Sequence, residues 1–190
     1  MKNKLLMLTV ALSCTFAGSA MAMTKAEYKT GKDHISADYK VNHAKCDGLK
    51  ANAKDICVSE AKGAEKVAKA ELEAQYEPTP RHKEKVGMAR ADAAYDTAKE
   101  KCDDFSGNAK DVCVKDAKVA HVKAKEDAKV ARVADDTSKA KTEKMSEVKK
   151  DASAENREAE FKAAKERCDS LAGTVKDGCV NDAKVKYGMK

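Results

Sequence analysis

The sequence has few of the side chains that fill a wide hydrophobic core. It contains no Trp, two Pro, three Phe and five Tyr in 190 residues, so that aromatic residues make up 4% of the chain. Beyond the N-terminal segment, Leu occurs only at positions 49, 72 and 171, and most other apolar residues are Ala and Val. Because a deep ligand pocket needs bulky apolar walls, this composition argues against an enzyme, and we expect no catalytic residue and no cofactor.

A large net charge is also missing. The chain has 38 Lys and Arg against 32 Asp and Glu, which gives a net charge of +6 although 37% of all residues are charged. Ala, Glu, Lys, Leu and Arg form roughly half of the chain, which is typical of long helices. Positive and negative residues interleave and form no basic stripe of the kind that binds nucleic acid. The composition therefore predicts an all-α protein without a nucleic-acid partner.

The first 22 residues have the pattern of a secretory signal peptide. Lys2 and Lys4 precede an apolar run over residues 5–12, and an A-x-A site ends at Ala22. The run is too short for a permanent membrane span, and no second one follows it. A lipoprotein centred on Cys14 is the weaker alternative, because Ala11 occupies the position where such signals usually have Leu. We expect cleavage before Met23 and a periplasmic or secreted chain without a transmembrane segment.

The cysteines that follow occur in three copies of one motif. The copies read CDGLKANAKDICVSEAK, CDDFSGNAKDVCVKDAK and CDSLAGTVKDGCVNDAK, and each has two cysteines eleven positions apart. Six cysteines in an oxidising compartment indicate disulfides. Both members of each pair fall on an Ala-lined face where two antiparallel helices can approach closely enough for a bridge. Among the connectivities that six cysteines allow, we predict the three local pairs Cys46–Cys57, Cys102–Cys113 and Cys168–Cys179.

Metal binding by the same thiols is the alternative. His43 precedes Cys46 by three positions, but Lys99 and Lys165 occupy the equivalent positions of the other copies. The chain has no Cys-x-x-Cys motif, which zinc sites and redox-active pairs typically use. Its four histidines, at positions 34, 43, 82 and 121, are scattered and are interpreted as solvated helix residues. We therefore predict no metal site.

The motif itself indicates one helix ending and another beginning. Gly107 and Gly173 suit the left-handed position at a helix end, and Asn108 and Thr174 can cap the helix that follows. The first copy has Ala51 instead of the glycine. We expect a tighter or more strained turn there.

Capping and breaking signals give the helix boundaries. Thr24 and Glu27 form a capping-box pattern, and Thr79 can restart a helix after the chain is broken by the two prolines of the sequence. The predicted helices run from about 25 to 50, 53 to 76, 80 to 106, 108 to 172 and 175 to 187. The fourth can be one continuous helix, and residues 135–138 are the best place for a break because they favour caps over helix interiors.

These signals divide the chain into a signal peptide (1–22), hairpin 1 (23–77), hairpin 2 (78–134) and a last segment (135–190). In the last segment, residues 134–160 are predicted to be a solvated helical connector to hairpin 3, with disorder as the alternative. The predicted architecture is a series of disulfide-stapled antiparallel αα-hairpins with one very long helix or connector, arranged as an elongated or loosely packed bundle. The Ala seams leave open whether hairpins pack on one another or on a second chain, as in a homo-oligomer.

The leader, the opening Ala26-Glu27-Tyr28-Lys29, the triplicated cysteine turn and the Lys/Ala/Asp-rich helices together resemble a group of secreted proteins of Gram-negative bacteria. Members of this group are sometimes labelled TolA-like or cell envelope biogenesis proteins. The resemblance implies a location and an architecture, and it transfers no catalytic or binding residue. We expect a non-enzymatic structural or interaction protein of the cell envelope, with an envelope protein or an anionic envelope polymer as partner. The alternative is a periplasmic protein that responds to metals or oxidative stress through its Cys and His residues.

Overall fold

The computed structural model describes residues 23–137 and 140–190. This part of the chain is all-α and contains no strand. Its six helices are α1 (Lys25–Lys45), α2 (Ala51–Tyr76), α3 (Pro80–Cys102), α4 (Gly107–Ala134), α5 (Lys141–Cys168) and α6 (Gly173–Tyr187). A short 3-10 turn, Cys46–Gly48, extends α1. The predicted signal peptide, including Cys14, lies outside the described residues.

The predicted caps of α1 and α3 are present. The Thr24 hydroxyl accepts a hydrogen bond from the Glu27 amide at 3.2 Å, and the Glu27 carboxylate accepts one from the Thr24 amide at 2.7 Å. The Thr24 hydroxyl also donates to the Glu27 carboxylate at 2.8 Å, and the two bonds that this carboxylate accepts from Thr24 hold the pKa of Glu27 below its ordinary value. At α3, the Thr79 hydroxyl accepts from the His82 amide at 3.2 Å, and Pro80 occupies the first helical position. Both helices therefore begin where local hydrogen-bond chemistry predicts.

Residues 108–172 do not form one continuous helix. α4 ends at Ala134 and α5 begins at Lys141, so the break falls where Asp135 and its neighbours predicted it. The residues expected to form a solvated connector belong largely to α5, which packs along α4. Ala152 and Ala159 of α5 are buried although charged residues surround them in sequence. Small residues on one face are enough for helix packing here, because Ala lets the helix axes approach closely.

Each helix packs only against the helices that precede and follow it in the chain. Among the described residues, contacts join α1 to α2, α2 to α3, α3 to α4, α4 to α5 and α5 to α6, and no other helix pair. Successive helices are antiparallel, so all three cysteine turns lie at one edge of the array and the other connections lie at the opposite edge. The fold is a single layer of helices in chain order and not a closed bundle.

The buried residues between the helices are small. The largest fully buried side chains are the first cysteine of each pair, Cys46, Cys102 and Cys168, and most of the remaining buried apolar residues are alanines. Two glycines mark the closest approaches between helices. A Cβ added at Gly63 would lie 2.8 Å from the Cβ of Ala93, and one added at Gly87 would lie 2.6 Å from the Cβ of Ala128. These distances leave no room for a side chain at either glycine.

Candidate functional site

The three cysteine turns form one edge of the layer, which we call the turn edge (residues 46–57, 102–113 and 168–179). The disulfides at this edge are Cys46–Cys57, Cys102–Cys113 and Cys168–Cys179, with Cα–Cα distances of 5.6, 5.6 and 5.8 Å. These are the local pairs that the sequence predicts. Each bridge joins the two helices of one hairpin immediately beside its turn.

The backbone of each turn passes through the left-handed region at the residue that opens the second helix. Gly107 has a φ of 55° and Gly173 a φ of 56°, which glycine adopts without steric cost. Ala51 occupies the equivalent place with a φ of 48°. The predicted strain of the first turn is therefore a backbone strain, because a Cβ disfavours this conformation.

In every copy of the motif, an ion pair also joins the residues before the turn to those after it. The Lys in the AKD or VKD part of the motif contacts the Asp that follows the first cysteine. The distances between Nζ and the carboxylate oxygen are 3.3 Å for Lys54–Asp47, 2.9 Å for Lys110–Asp103 and 2.8 Å for Lys176–Asp169. In the third copy the hydrogen bond lowers the pKa of Asp169 and raises the pKa of Lys176. The recurring Cys-Asp and Lys-Asp pairs in the sequence could have identified this contact.

The asparagines of the motif do not cap their own helices. The Asn52 amide nitrogen donates to the Glu100 carbonyl oxygen at 2.8 Å, and the Asn108 amide nitrogen donates to the Glu166 carbonyl oxygen at 3.0 Å. The predicted capping role of Asn108 is therefore wrong, and no side-chain cap is present at the start of α4. Thr174 likewise does not cap α6, whose N-cap residue is Ala172. Both asparagines instead satisfy a carbonyl near the end of a helix in the next hairpin.

Each turn also exposes one large apolar side chain to solvent. Leu49, Phe105 and Leu171 occupy equivalent motif positions and are 42%, 54% and 39% exposed. They lie along the same edge, one in each hairpin. Neighbouring members are two helix spacings apart, or about 16–20 Å at the usual 8–10 Å between packed helices. The turn edge thus carries a row of three exposed apolar groups among charged residues.

Two of the four histidines that were predicted to be solvated are largely covered. The His82 side chain is 14% exposed, and its Nδ1 lies 2.8 Å from the Glu77 carbonyl oxygen. His121 departs further from the prediction. It is 9% exposed and stacks on the Tyr95 ring at 4.6 Å between centroids. Its Nε2 lies 2.7 Å from Oδ1 of Asp92. Partial burial raises the pKa of Asp92, but the His121 hydrogen bond and the charge of Lys125 outweigh this effect and lower the pKa overall. Sequence reasoning missed this cluster because its partners lie on another helix.

The histidines and cysteines do not come together. Within residues 23–137 and 140–190, no group of three or more His, Cys, Asp or Glu side chains has the geometry to hold a metal ion. The concave features include two grooves between α2 and α3 that open to solvent. One is lined mainly by charged residues and the other mainly by Ala.

No helix of the described residues combines the length and the apolar character that crossing a bilayer requires. Comparison of the sequence with protein-family models and with curated proteins, and of the fold with solved structures, returned no match.

Proposed function

We propose that this chain is a non-enzymatic interaction protein of the bacterial cell envelope, located in the periplasm or secreted. The observation that carries the proposal is the open layer, in which each helix contacts only its chain neighbours. Repeat proteins built in this way present extended surfaces to partners, since stacking buries only the sides of each repeat. The three disulfides favour an oxidising compartment.

The turn edge is the surface that we assign to the envelope partner. Its apolar residues Leu49, Phe105 and Leu171 are held in fixed positions by the adjacent disulfides, so binding them costs little ordering of the backbone. The charged residues around them give the polar rim that protein interfaces usually have. An envelope protein with an apolar strip is the partner that this edge fits.

Site-specific photocrosslinking in intact cells tests the proposal. A photoreactive amino acid at Phe105 is expected to crosslink the chain to an envelope protein. The same group at Val185, which is exposed on α6 away from the turn edge, is the matched control for this partner. Loss of the crosslink in the Leu49→Asp and Leu171→Asp variants would support the turn edge. Equal crosslinking to that envelope protein from both positions, or none from Phe105, would contradict it; a crosslink from Val185 to a second copy of the chain would not bear on it.

Compartment is tested separately by fractionation with thiol trapping. We expect the chain in the periplasmic or secreted fraction with all six motif cysteines blocked against alkylation before reduction. Free thiols in the chain isolated from that fraction would contradict the disulfide role and would favour the alternative function in metal or oxidant responses.

A further inference from the structure

The two junctions between hairpins are built from equivalent residues. Counted from the motif cysteines, Asn52 of α2 corresponds to Asn108 of α4, and Glu100 of α3 corresponds to Glu166 of α5. The asparagine donates to the glutamate carbonyl at both junctions, at 2.8 and 3.0 Å. The hairpins therefore stack in one fixed register.

An ion pair also recurs between equivalent residues at both junctions. Glu60 of α2 pairs with Lys101 of α3 at 3.2 Å, and the equivalent Asp116 of α4 pairs with Arg167 of α5. Each pair joins an acidic residue on the second helix of one hairpin to a basic residue just before the first cysteine of the next. This one contact therefore recurs with the same polarity at both junctions, whereas the pairs Lys66–Asp96 and Lys115–Glu166 cross them in the opposite sense at positions that are not equivalent.

Small residues add a further contact at the junction between α2 and α3, whereas α4 has Lys115 and Val119 at the positions of Ser59 and Gly63. Gly63 of α2 lies against Ala93 of α3, and Ser59 lies 3.3 Å from Thr97 between hydroxyl oxygens. The equivalent of Thr97 in the third hairpin is Ala163, which is 1% exposed. These positions are covered wherever a neighbouring hairpin is present.

The outer faces of α1 and α6 carry the two halves of this junction, and no helix of the described residues covers either face. On α6, Thr174 and Asp182 are the equivalents of Asn108 and Asp116, and Val185 is the equivalent of Val119, the valine that takes the place of Gly63 in the junction between α4 and α5. Val185 is 75% exposed, and Asp182 has no ion-pair partner among residues 23–137 and 140–190.

The outer face of α1 carries the residues equivalent to those that α3 and α5 contribute to the internal junctions. Lys45 is the equivalent of Lys101 and Arg167. Its Nζ donates to Asn42 of its own helix at 2.8 Å and has no ion-pair partner in the part of the chain that the structure describes. Val41 is the equivalent of Thr97 and Ala163 and is 59% exposed. Asp182 and Val185 at one end of the layer therefore occupy positions complementary to Lys45 and Val41 at the other.

We propose that the outer face of α6 in one copy packs against the outer face of α1 in a second copy. The association forms a third junction in the register of the two internal ones. Asp182 pairs with Lys45 of the second copy, Thr174 donates to the carbonyl of Ala44, and Val185 packs against Ala37, the equivalent of Ala93, one helical turn from Val41. The contact is head-to-tail, so it continues from copy to copy and gives rings or open filaments.

This intermolecular junction is shorter than the internal ones. α6 has 15 residues, whereas α2 has 26 and α4 has 28. It ends before the equivalent of Glu71, which pairs with Arg90 at the internal junction. We therefore expect reversible association that depends on concentration. The inference depends on the junction geometry and is independent of the envelope partner proposed above.

The test uses the oxidised chain purified from the periplasm and analytical ultracentrifugation over a concentration series up to the millimolar range. Val185→Asp should prevent association through the α6 face, and Val41→Asp should prevent association through the α1 face. In both cases association would bury a carboxylate against apolar groups, where it loses its hydration. Both positions are exposed, so the monomer fold is kept. The unmodified chain is expected to form species beyond the dimer, and each variant alone is expected to stay monomeric. An equimolar mixture of the two is expected to form a dimer and nothing larger.

The mixture is decisive because each variant keeps one intact face. Ser146→Asp on α5 is the matched control, since it places the same charge on an exposed residue outside both faces and outside the turn edge and should leave association unchanged. A monomer at every concentration of the unmodified chain would overturn the proposal. Self-association of either variant, or a mixture without dimers, would also overturn it. Exchange of charges offers a second measurement: Asp182→Lys and Lys45→Asp should each weaken association, and the double variant should restore it.

Discussion

The strained turn of hairpin 1 gives the sharpest stability prediction. Ala51 has a φ of 48°, and the equivalent Gly107 has a φ of 55°. A left-handed residue with a Cβ costs about 1–2 kcal/mol, while the extra freedom of glycine in the unfolded chain costs about 0.4–1 kcal/mol. The difference predicts that Ala51→Gly stabilises the protein by about 0.5–1 kcal/mol. Gly107→Ala should destabilise it by a similar amount.

Contacts do not complicate this comparison. A Cβ at Gly107 would meet nothing within 4 Å, so the effect of Gly107→Ala comes from the backbone alone. Gly48 is the matched control, because it also has open space around it and its φ is not in the left-handed region. Gly48→Ala should therefore be neutral or slightly stabilising.

The assay is urea unfolding followed by circular dichroism, with the disulfides intact and the chain dilute enough to be monomeric. The two turn substitutions should shift the unfolding midpoint in opposite directions with unchanged slope. Equal shifts of Gly107→Ala and Gly48→Ala would refute the argument, because the φ difference between these sites would then have no energetic consequence. Destabilisation by Ala51→Gly would refute it as well.

Three further predictions concern packing, the junctions and pH. Gly87→Ala should destabilise the chain by about 1–3 kcal/mol through overpacking, whereas Gly178→Ala on α6, where a Cβ meets nothing within 4 Å, should stabilise it by up to about 1 kcal/mol; urea unfolding measures both. Asn108→Ala should cost about 0.5–1.5 kcal/mol for the lost junction hydrogen bond in the same assay, and an unchanged midpoint would contradict that role. Because folding lowers the pKa of Asp169, its ion pair stabilises the protein above the unfolded-state pKa of 3.8, and this stability is lost as the pH falls through the folded-state pKa. Because folding raises the pKa of Lys176, its contribution is present below the unfolded-state pKa of 10.5 and is lost as the pH rises through the higher folded-state pKa. The unfolding temperature measured over a pH series should therefore fall in acid and in strong base, and Asp169→Asn should reduce the fall in acid.

Local chemistry made much of the fold predictable from the sequence. The cysteine spacing, the Thr24 capping box and the prolines around Thr79 each act over a few residues, so the sequence alone identifies them. These predictions agree with the structure because each depends only on residues that are close together in the sequence. The same reasoning identified Ala51 as the unusual member of the three turns.

Features that depend on which helices are neighbours could not be predicted in this way. Asn108 beside a helix start looks like a cap, and only the stacking of α5 on α4 reveals that its acceptor is Glu166, 58 residues away. His121 looks solvated until α3 brings Tyr95 and Asp92 beside it. In both cases the missing information is the register of packed helices, which Ala-rich faces encode weakly because small residues fit in several registers.

The distribution of contacts explains how hairpins without a wide core stay folded. The turn end of each hairpin is held by its disulfide, which constrains the unfolded chain. The other end of hairpin 1 is held by Tyr28, which stacks on Tyr76 at 4.5 Å and donates a hydrogen bond to Glu73. In hairpin 2 the equivalent end has the ion pair between Arg132 and Glu84 at 2.8 Å.

Between these two ends lie Ala faces and glycines, whose role is close approach and not large apolar burial. Fixing both ends of a hairpin sets the register that the small residues cannot set by themselves. The disulfides therefore do more than add stability: they place the junction residues of each hairpin at defined heights. This is the condition for successive hairpins, and for a second copy of the chain, to meet in the same register.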